Sequence, residues 1–369
     1  MYKLYAKKLF TGEEIFDDVV ILFDEEKIYH LGEDINESVK EVYRANFVMP
    51  PLIDLGIGIG LKEESLGRIE GDDLDEATNP VTPELNAMDG ISPYDDAFPK
   101  AVKGGVLVSY VLPGNSNPIG GRGTLIYNNG KHILDMVIKD KLGVKFSVNT
   151  EPKAIYGTKG KTPMTRMGIA YLIRDTLFKA KEYQKEHKEV SLSYEALSDL
   201  LNGKDIGFFA SFRADDIATS IRIGSEFNIK QAILYGIQAD YVIDLLKEKN
   251  IPVVYGPVMM ARASVELKGL SPKVPAKLAS EGILTALTSG HPYFPSKYLR
   301  LNVGLVIREG LDEIAALKLV TTNPAKIIGE DYLGRITLNG LPNLVAFDGA
   351  PYDTQSNITY AFLKGRRLV

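Results

Sequence analysis

The 369-residue sequence contains no cysteine and no tryptophan, and it has only four histidines. The absence of cysteine excludes a disulfide framework, a thiolate zinc site and a cysteine nucleophile. The histidines are far apart in the chain, and none belongs to a His-x-His or His-Glu-x-x-His motif; they are His30, His132, His187 and His291. Because a zinc site requires roughly three or four ligands, the sequence offers little from which to build one.

Long apolar runs and blocks of like charge are also absent. No apolar run is long enough to span a bilayer, and the first ten residues carry charges where a signal peptide would be apolar. The net charge of −5 gives no electrostatic footprint for nucleic acid. We therefore predict a cytoplasmic protein that binds neither membranes nor nucleic acid. Its abundant Lys, Glu, Ile and Tyr, without Cys or Trp, are typical of thermophile proteins.

The spacing of apolar residues predicts strands at both ends of the chain and an α/β region between them. Period-two runs occupy 2–10, 17–32, 335–349 and 356–369, with a turn near Asp24. The predicted central strands are 47–56, 104–114, 206–212, 231–236, 251–256 and 283–289. The predicted central helices are 162–187, with Pro163 in its first turn, 193–202, 214–227 and 239–249. Repeated strand–helix units indicate a parallel sheet, either a closed barrel or a doubly wound sheet.

One segment interrupts this alternation. Residues 61–100 are acidic, rich in Asn, Pro and Asp, and follow a predicted strand end. In a barrel, the loops after the strands build the functional face, so this segment is a candidate for covering a site. A solvated surface insertion is the alternative.

Several motifs, taken together, resemble one family. VMPPLIDLGIG resembles the strand that opens the barrel of amidohydrolases, and PGNSNPIGGRG resembles a hallmark of the imidazolonepropionase-like subgroup. EPKAIYG, TPMTRMG and FRADD occur in the order found in that subgroup. TTNPAKIIG, LGRITLNGLPNLVAFDG and TYAFLKGRRL resemble the family's closing segment. The resemblance covers nearly the whole chain.

The resemblance implies a distorted (β/α)₈ TIM barrel over residues 49–330. It also implies a small composite β-sandwich built from residues 1–48 and 331–369. Relatives in this family hydrolyse or deaminate C–N bonds, often in cyclic amides or imidazole-like rings. They use zinc or another divalent metal to activate a water molecule.

The sequence departs from the family at the positions that would bind metal. Glycines replace the first His-x-His after Asp54, and Ala and Phe replace the second, before Arg213. Tyr replaces a later histidine, and Gly replaces the final catalytic Asp, beside His291. The substituted positions are Gly56, Gly58, Ala210, Phe212, Tyr235 and Gly290. All six residues are uncharged, so we expect no metal cofactor. A Mg²⁺ or Ca²⁺ site made only of carboxylates, from Asp54, Asp215 and Asp216, remains an alternative.

Polar residues after the predicted strands form a candidate ligand pocket. They are Asn115, Asn117, Arg122, Glu151, Lys153, Arg166, Arg213 and Tyr235. For the first three the alternative is a tight turn, and for Glu151, Lys153 and Arg166 it is a salt-bridged loop anchor. Arg213 could pair with one of the aspartates that follow it, which could themselves favour a helix N-terminus.

The candidate catalytic residues are Asp215, Asp216 and His291. His291 follows a predicted strand and could transfer protons. No nucleophile is evident beside it, since Ser289 is too near in sequence to form a dyad on that ground alone.

Three functions follow from these observations. The first is a non-catalytic homologue that binds a small molecule or regulates another protein. The second is a hydrolase of C–N bonds with an unconventional or metal-free site. The third is a structural or regulatory subunit paired with an active amidohydrolase. Homo-oligomer formation is expected only by analogy with the architecture.

Overall fold

The computed structural model describes residues 1–64, 70–186 and 190–369. It contains two sheets. The first has the strand order β15-β14-β13-β4-β1-β2-β3, and the second has the order β12-β11-β10-β9-β8-β7-β6-β5. In chain order the strands are β1 (Tyr2–Phe10), β2 (Ile15–Phe23), β3 (Ile28–Gly32), β4 (Glu41–Met49), β5 (Leu52–Ile57), β6 (Val106–Val111), β7 (Ile119–Tyr127), β8 (Val137–Ser147), β9 (Gly207–Ser211), β10 (Gln231–Tyr235), β11 (Val253–Tyr255), β12 (Thr285–Leu287), β13 (Leu344–Phe347), β14 (Ile358–Leu363) and β15 (Arg366–Arg367).

The helices lie almost entirely in the central part of the chain. They are α1 (Ala97–Lys103), α2 (Ile133–Met136), α3 (Thr150–Gly157), α4 (Arg166–Glu186), α5 (Leu192–Leu201), α6 (Ala214–Glu226), α7 (Ile243–Glu248), α8 (Lys273–Ser280), α9 (Leu299–Arg308), α10 (Glu313–Lys318) and α11 (Thr322–Ile328). Short 3₁₀ turns occupy Ala87–Asp89, Ala239–Tyr241, Val265–Leu267, Ser296–Tyr298 and Asp331–Gly334. None of the helices in the described ranges is long and apolar enough to cross a bilayer.

The second sheet forms a nearly closed eight-stranded barrel. Seven of its strands are parallel, while β7 runs antiparallel to both neighbours. No helix separates β6 from β7, and only the four-residue α2 lies between β7 and β8. The gap between β12 and β5 is bridged by Leu319 and Val320, which lie between α10 and α11. Leu287 N–H donates to the Leu319 carbonyl at 2.8 Å, and Ile53 N–H donates to the Val320 carbonyl at 2.9 Å. The predicted α/β barrel is confirmed, with this antiparallel strand as its main irregularity.

The first sheet joins strands from both ends of the chain, because β13 pairs with β4. It also curls over. Phe23 on β2 and Phe362 on β14 are several strands apart in the sheet order, yet their ring centroids are 5.0 Å apart. Strands in a flat sheet are about 4.8 Å apart, so this contact requires the two ends of the sheet to face each other around a shared core. The geometry is sandwich-like.

Two predicted boundaries were wrong. The predicted strand 47–56 is divided at Pro50–Pro51 between β4 of the first sheet and β5 of the barrel. Proline lacks the N–H that a continuous central strand would need. The helix predicted from residue 162 begins at Arg166, so Pro163 precedes it. Thr165 Oγ1 accepts the Gly168 N–H at 3.0 Å and caps the helix instead. The predicted end of this helix at His187 lies outside the described residues.

Candidate functional site

Asp54, in the middle of β5, links this strand to the segment after β12 at the junction of the first and last barrel strands, which we call the barrel seam. The residue is fully buried, and its carboxylate accepts four hydrogen bonds. The donors are Thr288 Oγ1 at 3.0 Å, Ser289 N at 2.9 Å, Ser289 Oγ at 2.5 Å and Ser296 Oγ at 2.6 Å. Burial raises the pKa of Asp54, and these donors oppose the rise. Since a carboxylate offers about four lone-pair positions, Asp54 has none left for a metal ion.

Lys145 on β8 lies inside the barrel. Val144 and Phe146, its neighbours in the strand, face the outer core, whereas Lys145 pairs with Phe208, which belongs to the apolar cluster that fills the barrel. Lys145 is 1% exposed. Its Nζ donates to the Pro113 carbonyl at 3.2 Å and lies 5.6 Å from the ring centre of Tyr235.

Burial lowers the pKa of Lys145 to about 8, against an ordinary value of 10.5. The negative charges of Asp75 and Glu151 oppose this shift without cancelling it. An ammonium has three N–H donors, and Nζ makes one hydrogen bond with the described residues. This amine is therefore a poorly satisfied buried cation at physiological pH, with a substantial neutral fraction just above it.

Glu151 and Asn115 stand beside this lysine. Glu151 lies in the first turn of α3, where the Asn149 side chain accepts its backbone N–H at 2.9 Å. Burial raises the pKa of Glu151, and the charge of Asp75 adds to the rise. Asn115 is almost fully buried and interacts with the side chains of both Glu151 and Tyr235. We call Asp75, Asn115, Lys145, Glu151 and Tyr235 the mouth cluster.

The mouth cluster adjoins a cavity. Leu74, Asp75 and Pro113 lie in the wall of a cavity of about 370 Å³. Its remaining walls are strongly acidic and include Asp72, Asp73, Glu76, Glu84 and Asp89. These residues belong to the segment 61–100, whose described part is fastened to the barrel. Leu74 is buried, and Asp75 Oδ1 accepts the Ser116 N–H at 3.0 Å. Part of this segment therefore covers the carboxyl ends of the barrel strands.

The six positions at which the resemblance implies lost metal ligands lie at these same strand ends, among apolar neighbours. Phe212 and Tyr235 stack on each other, with ring centroids 4.8 Å apart and an interplanar angle of 16°. A side chain added at Gly56 would meet Leu234 at 3.2 Å, and one at Gly58 would collide with Leu74. Ala210 lies in the apolar cluster inside the barrel.

Gly290 is restricted in a different way. Its φ of +69° is in the left-handed region, and an added Cβ would lie 2.9 Å from Pro257. An L-residue is strained in this conformation. The backbone here suits glycine, and the close approach of Pro257 opposes any side chain.

Arg166 and Asp216, both predicted as site residues, form an ion pair that connects several loops. Arg166 at the start of α4 donates to buried Asp216 at 2.6 and 3.1 Å, and also to Thr150 Oγ1 and Glu266. Burial raises the pKa of Asp216, and Arg166 opposes this shift. The arrangement ties the starts of α3, α4 and α6 to the 3₁₀ turn at Glu266.

Arg213 and Asp215 pair with each other at the surface. Arg213 donates to both carboxylate oxygens of Asp215, at 2.8 and 2.9 Å. Burial alone would raise the pKa of Asp215, but the Arg213 hydrogen bond and charge lower it overall. The structure does not bring Asp54, Asp215 and Asp216 together as a metal-binding group, and none is found elsewhere among the described residues.

The loop residues predicted for the pocket separate into different places. Asn117 is buried and bonds the Glu76 carbonyl, Thr82 and Tyr156, so it fastens the covering segment. Arg122 bonds the Lys141 carbonyl and lies 3.6 Å from Asp205, which precedes β9. Because β9 starts at the opposite end of the barrel, Arg122 lies away from the mouth cluster. Lys153 is half-buried in α3, two residues beyond Glu151.

His291 is buried beyond the end of β12. It is 4% exposed, and neither ring nitrogen has a hydrogen-bond partner within the described ranges. Burial lowers its pKa, although the charges of Asp95 and Glu64 oppose this. Ser289 Oγ bonds Asp54 and accepts the His291 backbone N–H, so it serves the barrel seam.

Lys145 and Asp75 are the site residues that the sequence analysis missed. Lys145 lies in the strand-like run VKFSVN and was not singled out. The available signal was alternation, since Lys145 stands at the inward position between two outward apolar residues. A charged residue at such a position in a barrel strand is unusual.

The chain forms a nearly closed α/β barrel with a buried amine and a carboxylate at its mouth, and comparison with known proteins identifies its family. No family model matches the chain. A solved amidohydrolase from Thermotoga maritima MSB8 matches with a TM-score of 0.95 and 34% identity, and all of both chains is covered. The chain belongs to the amidohydrolase family.

One further protein resembles the chain in sequence, and another shares its fold. Amidohydrolase tasK from Hapsidospora irregularis is 24% identical over 316 residues, which is 76% of this chain. This chain spans only about a third of that protein, 32% of its length. The A. niger ochratoxinase structure shares the fold, with a TM-score of 0.62 and 14% identity over 99% of this chain and 95% of its own.

Proposed function

We propose that this chain binds a small organic molecule at the barrel mouth and does not perform the metal-dependent hydrolysis of its relatives. We place it in the imidazolonepropionase-like subgroup on the motifs quoted above. One observation carries the proposal. The six positions where that subgroup has metal ligands hold uncharged residues, and neighbouring Leu74, Leu234 and Pro257 occupy the space that ligand side chains at the glycines would need.

The carboxylates of Asp54, Asp215 and Asp216 do not replace the missing metal ligands. Asp54 is saturated by four donors, and Asp215 and Asp216 are each paired with an arginine. A divalent ion requires several free ligands on one side of a pocket. The residues present do not fit the family's metal centre, so we derive no catalytic step through it.

Polar groups of the mouth cluster that lack hydrogen-bond partners support ligand binding. Buried polar groups normally find hydrogen-bond partners, yet Asn115 Oδ1 has none in the described structure and Lys145 Nζ has a single one. Such groups cost stability when nothing satisfies them. A ligand that supplies the missing partners explains why they are retained.

The second candidate function is hydrolysis of a C–N bond without metal. The observation that favours it is the amine of Lys145 close to Glu151, since a neutral lysine and a carboxyl group of raised pKa are a base and an acid. It predicts turnover of a cyclic amide that is lost in Glu151→Gln.

The first test is metal content, measured by plasma mass spectrometry on protein purified without an affinity tag. We expect almost no zinc, iron or nickel, and no gain after incubation with Zn²⁺. A stoichiometric metal ion would overturn the loss of the metal site.

The second test measures binding by thermal shift with small cyclic amides and imidazole-like compounds. A ligand raises the melting temperature because it binds only the folded state. We expect the shift to disappear in Tyr235→Ala and to persist in Tyr241→Ala, which removes a largely exposed tyrosine from the 3₁₀ turn after β10. If no compound shifts the wild type, the binding proposal is wrong.

The proposal includes three properties of the whole protein. We place it in the cytoplasm, as a homo-oligomer, with a melting temperature above the mesophilic range. Light scattering and calorimetry measure the last two directly. A monodisperse monomer or an ordinary mesophilic melting temperature would contradict the corresponding part.

A further inference from the structure

We propose that Lys145 is a nucleophilic amine that captures a small, uncharged or positively charged aldehyde or ketone as a Schiff base at the barrel mouth. This inference rests on the proposed ligand binding at the same site. It adds the chemical class of the ligand and the residue that holds it.

The position of Lys145 carries the argument. Its side chain leaves β8 inside the barrel, beside Phe208, and passes over Gly120, where an added Cβ would lie 3.4 Å from the Cβ of Lys145. Its Nζ is held by the carbonyl of Pro113, a residue that lines the acidic cavity. The amine therefore lies directly behind one residue of the cavity wall, and capture of a ligand requires the flexible lysine side chain to leave this single hydrogen bond.

The surroundings keep part of the amine neutral. Only the neutral form has the lone pair that attacks a carbonyl carbon, and a lysine in an apolar pocket is a recognised way to obtain it. The charged or titratable groups that face Nζ are Asp75, Glu151 and Tyr235. The two carboxylates limit the fall in pKa, so both forms of the amine exist near neutral pH.

Glu151, whose charge acts on Lys145, is the group that moves the protons in this proposal. The amine lone pair attacks the carbonyl carbon, a C–N bond forms as the C=O π bond breaks, and the oxygen takes one proton from the nitrogen to give a carbinolamine. The Glu151 carboxyl then protonates the departing hydroxyl, which leaves as water while the nitrogen lone pair forms the C=N bond. The nitrogen loses its second proton to the Glu151 carboxylate, which restores the carboxyl. The sum is amine plus carbonyl giving imine plus water, with no oxidant or reductant.

The charge of the cavity selects the ligand class. Its walls contain Asp72, Asp73, Asp75, Glu76, Glu84 and Asp89 and no basic residue among those described. An anionic keto acid would be repelled there. A neutral or amine-bearing carbonyl compound would not be repelled, and its apolar part could pack on Leu61, Leu74 and Leu85 in the same walls.

The test is reductive trapping of the full-length protein with benzaldehyde and sodium cyanoborohydride, followed by peptide mass spectrometry. We expect one benzyl group on Lys145, and labelling slower by about tenfold or more with pyruvate as the probe. Lys145→Met should abolish labelling of that peptide, whereas Lys179→Met, at an exposed lysine on α4, should leave it unchanged. Labelling spread evenly over surface lysines, with none at Lys145, would overturn the proposal.

Glu151→Gln tests the proton transfer separately. We expect the labelling rate to fall by about tenfold or more, with the rise of the wild-type rate with pH retained. An unchanged rate would remove Glu151 from the reaction and leave it as a neighbour that only adjusts the charge of Lys145.

Thermal shift with benzaldehyde distinguishes failure of the Schiff-base proposal from failure of the ligand-binding proposal. If benzaldehyde shifts the melting temperature of wild type but not of Tyr235→Ala, and Lys145 stays unlabelled, the Schiff base is wrong and ligand binding stands. If there is neither a shift nor labelling with any compound tested, both proposals fall.

Discussion

The barrel contains two buried charged side chains, Asp54 and Lys145, which differ in how completely they are hydrogen-bonded. Asp54, at the seam between β5 and β12, receives four hydrogen bonds from three residues. Lys145, on β8, receives one acceptor for three donors. Burying a charge is costly unless it is fully hydrogen-bonded. The hydrogen bonds of Asp54 stabilise the barrel, whereas the unsatisfied donors of Lys145 destabilise it. A buried charge that costs stability indicates a functional role.

Asp54→Ala should give the largest loss of stability. It leaves the hydroxyls of Thr288, Ser289 and Ser296 without their acceptor and opens the barrel seam. Breaking such a buried polar group costs about 4 kcal/mol, measurable by urea unfolding. Asp215→Ala is the control and should cost less than about 1 kcal/mol, because its arginine pair is at the surface. Equal losses in the two variants would contradict the structural role of Asp54.

Lys145→Met should have the opposite sign and raise stability by about 3 kcal/mol at pH 7. The folded pKa of about 8 lies below the ordinary 10.5, and each unit is worth about 1.4 kcal/mol. Below pH 8 both states hold the proton and the full penalty is present. Between pH 8 and 10.5 the unfolded chain binds more protons, so wild-type stability rises with pH.

Urea unfolding at a series of pH values checks this prediction. The advantage of Lys145→Met should shrink as the pH rises through that window. A variant that is less stable than wild type at pH 7 would show that Lys145 makes stabilising contacts, and would remove the contrast with Asp54.

Gly290→Ala tests whether the structure leaves room for a side chain at this position. Its φ of +69° and its 2.9 Å approach to Pro257 should together cost about 2–3 kcal/mol. Gly203→Ala is a matched control, with φ +71° and nothing within 4 Å of the added Cβ, and should cost about 1 kcal/mol. Thermal unfolding of both variants isolates the contribution of Pro257. If the two losses were equal, this crowding would carry no weight.

Arg213→Met should have the smallest effect, about 0.5 kcal/mol or less. Its pair with Asp215 is exposed, and such pairs contribute little because water and salt screen them. Any loss measured by urea unfolding should diminish at high salt. A salt-independent loss above about 2 kcal/mol would mean that Arg213 has a role in the site.

Much of the fold could be predicted because its signals are local. Alternating apolar residues located the strands, and the turn at Asp24 formed as predicted, with Asp24 Oδ1 accepting the Glu26 N–H at 2.8 Å. The family motifs then indicated the barrel. The antiparallel β7 was not predicted, because the direction of a strand depends on its partners and leaves no trace in its own apolar spacing.

The site was harder to predict for the same reason. Glu151 was identified because it follows a strand-like run, and Tyr235 because it stands where the family has a histidine. Lys145 was missed, and the register beside Phe208 shows that it points inward. Arg122 follows a strand as well, yet the reversed direction of β7 carries it toward Asp205. A position at a strand end indicates a site only when the direction of the strand is known.

The composite sheet has a consequence for how the chain matures. β4 finds its partner β13 only after the whole barrel sequence has been made, because Met49 pairs with Val345. Until then, the β4 edge is an unpaired template of the kind that promotes association between chains. Pairing with β13 covers this edge. A chain whose synthesis stopped before β13 would leave the β4 edge unpaired and able to associate with other chains.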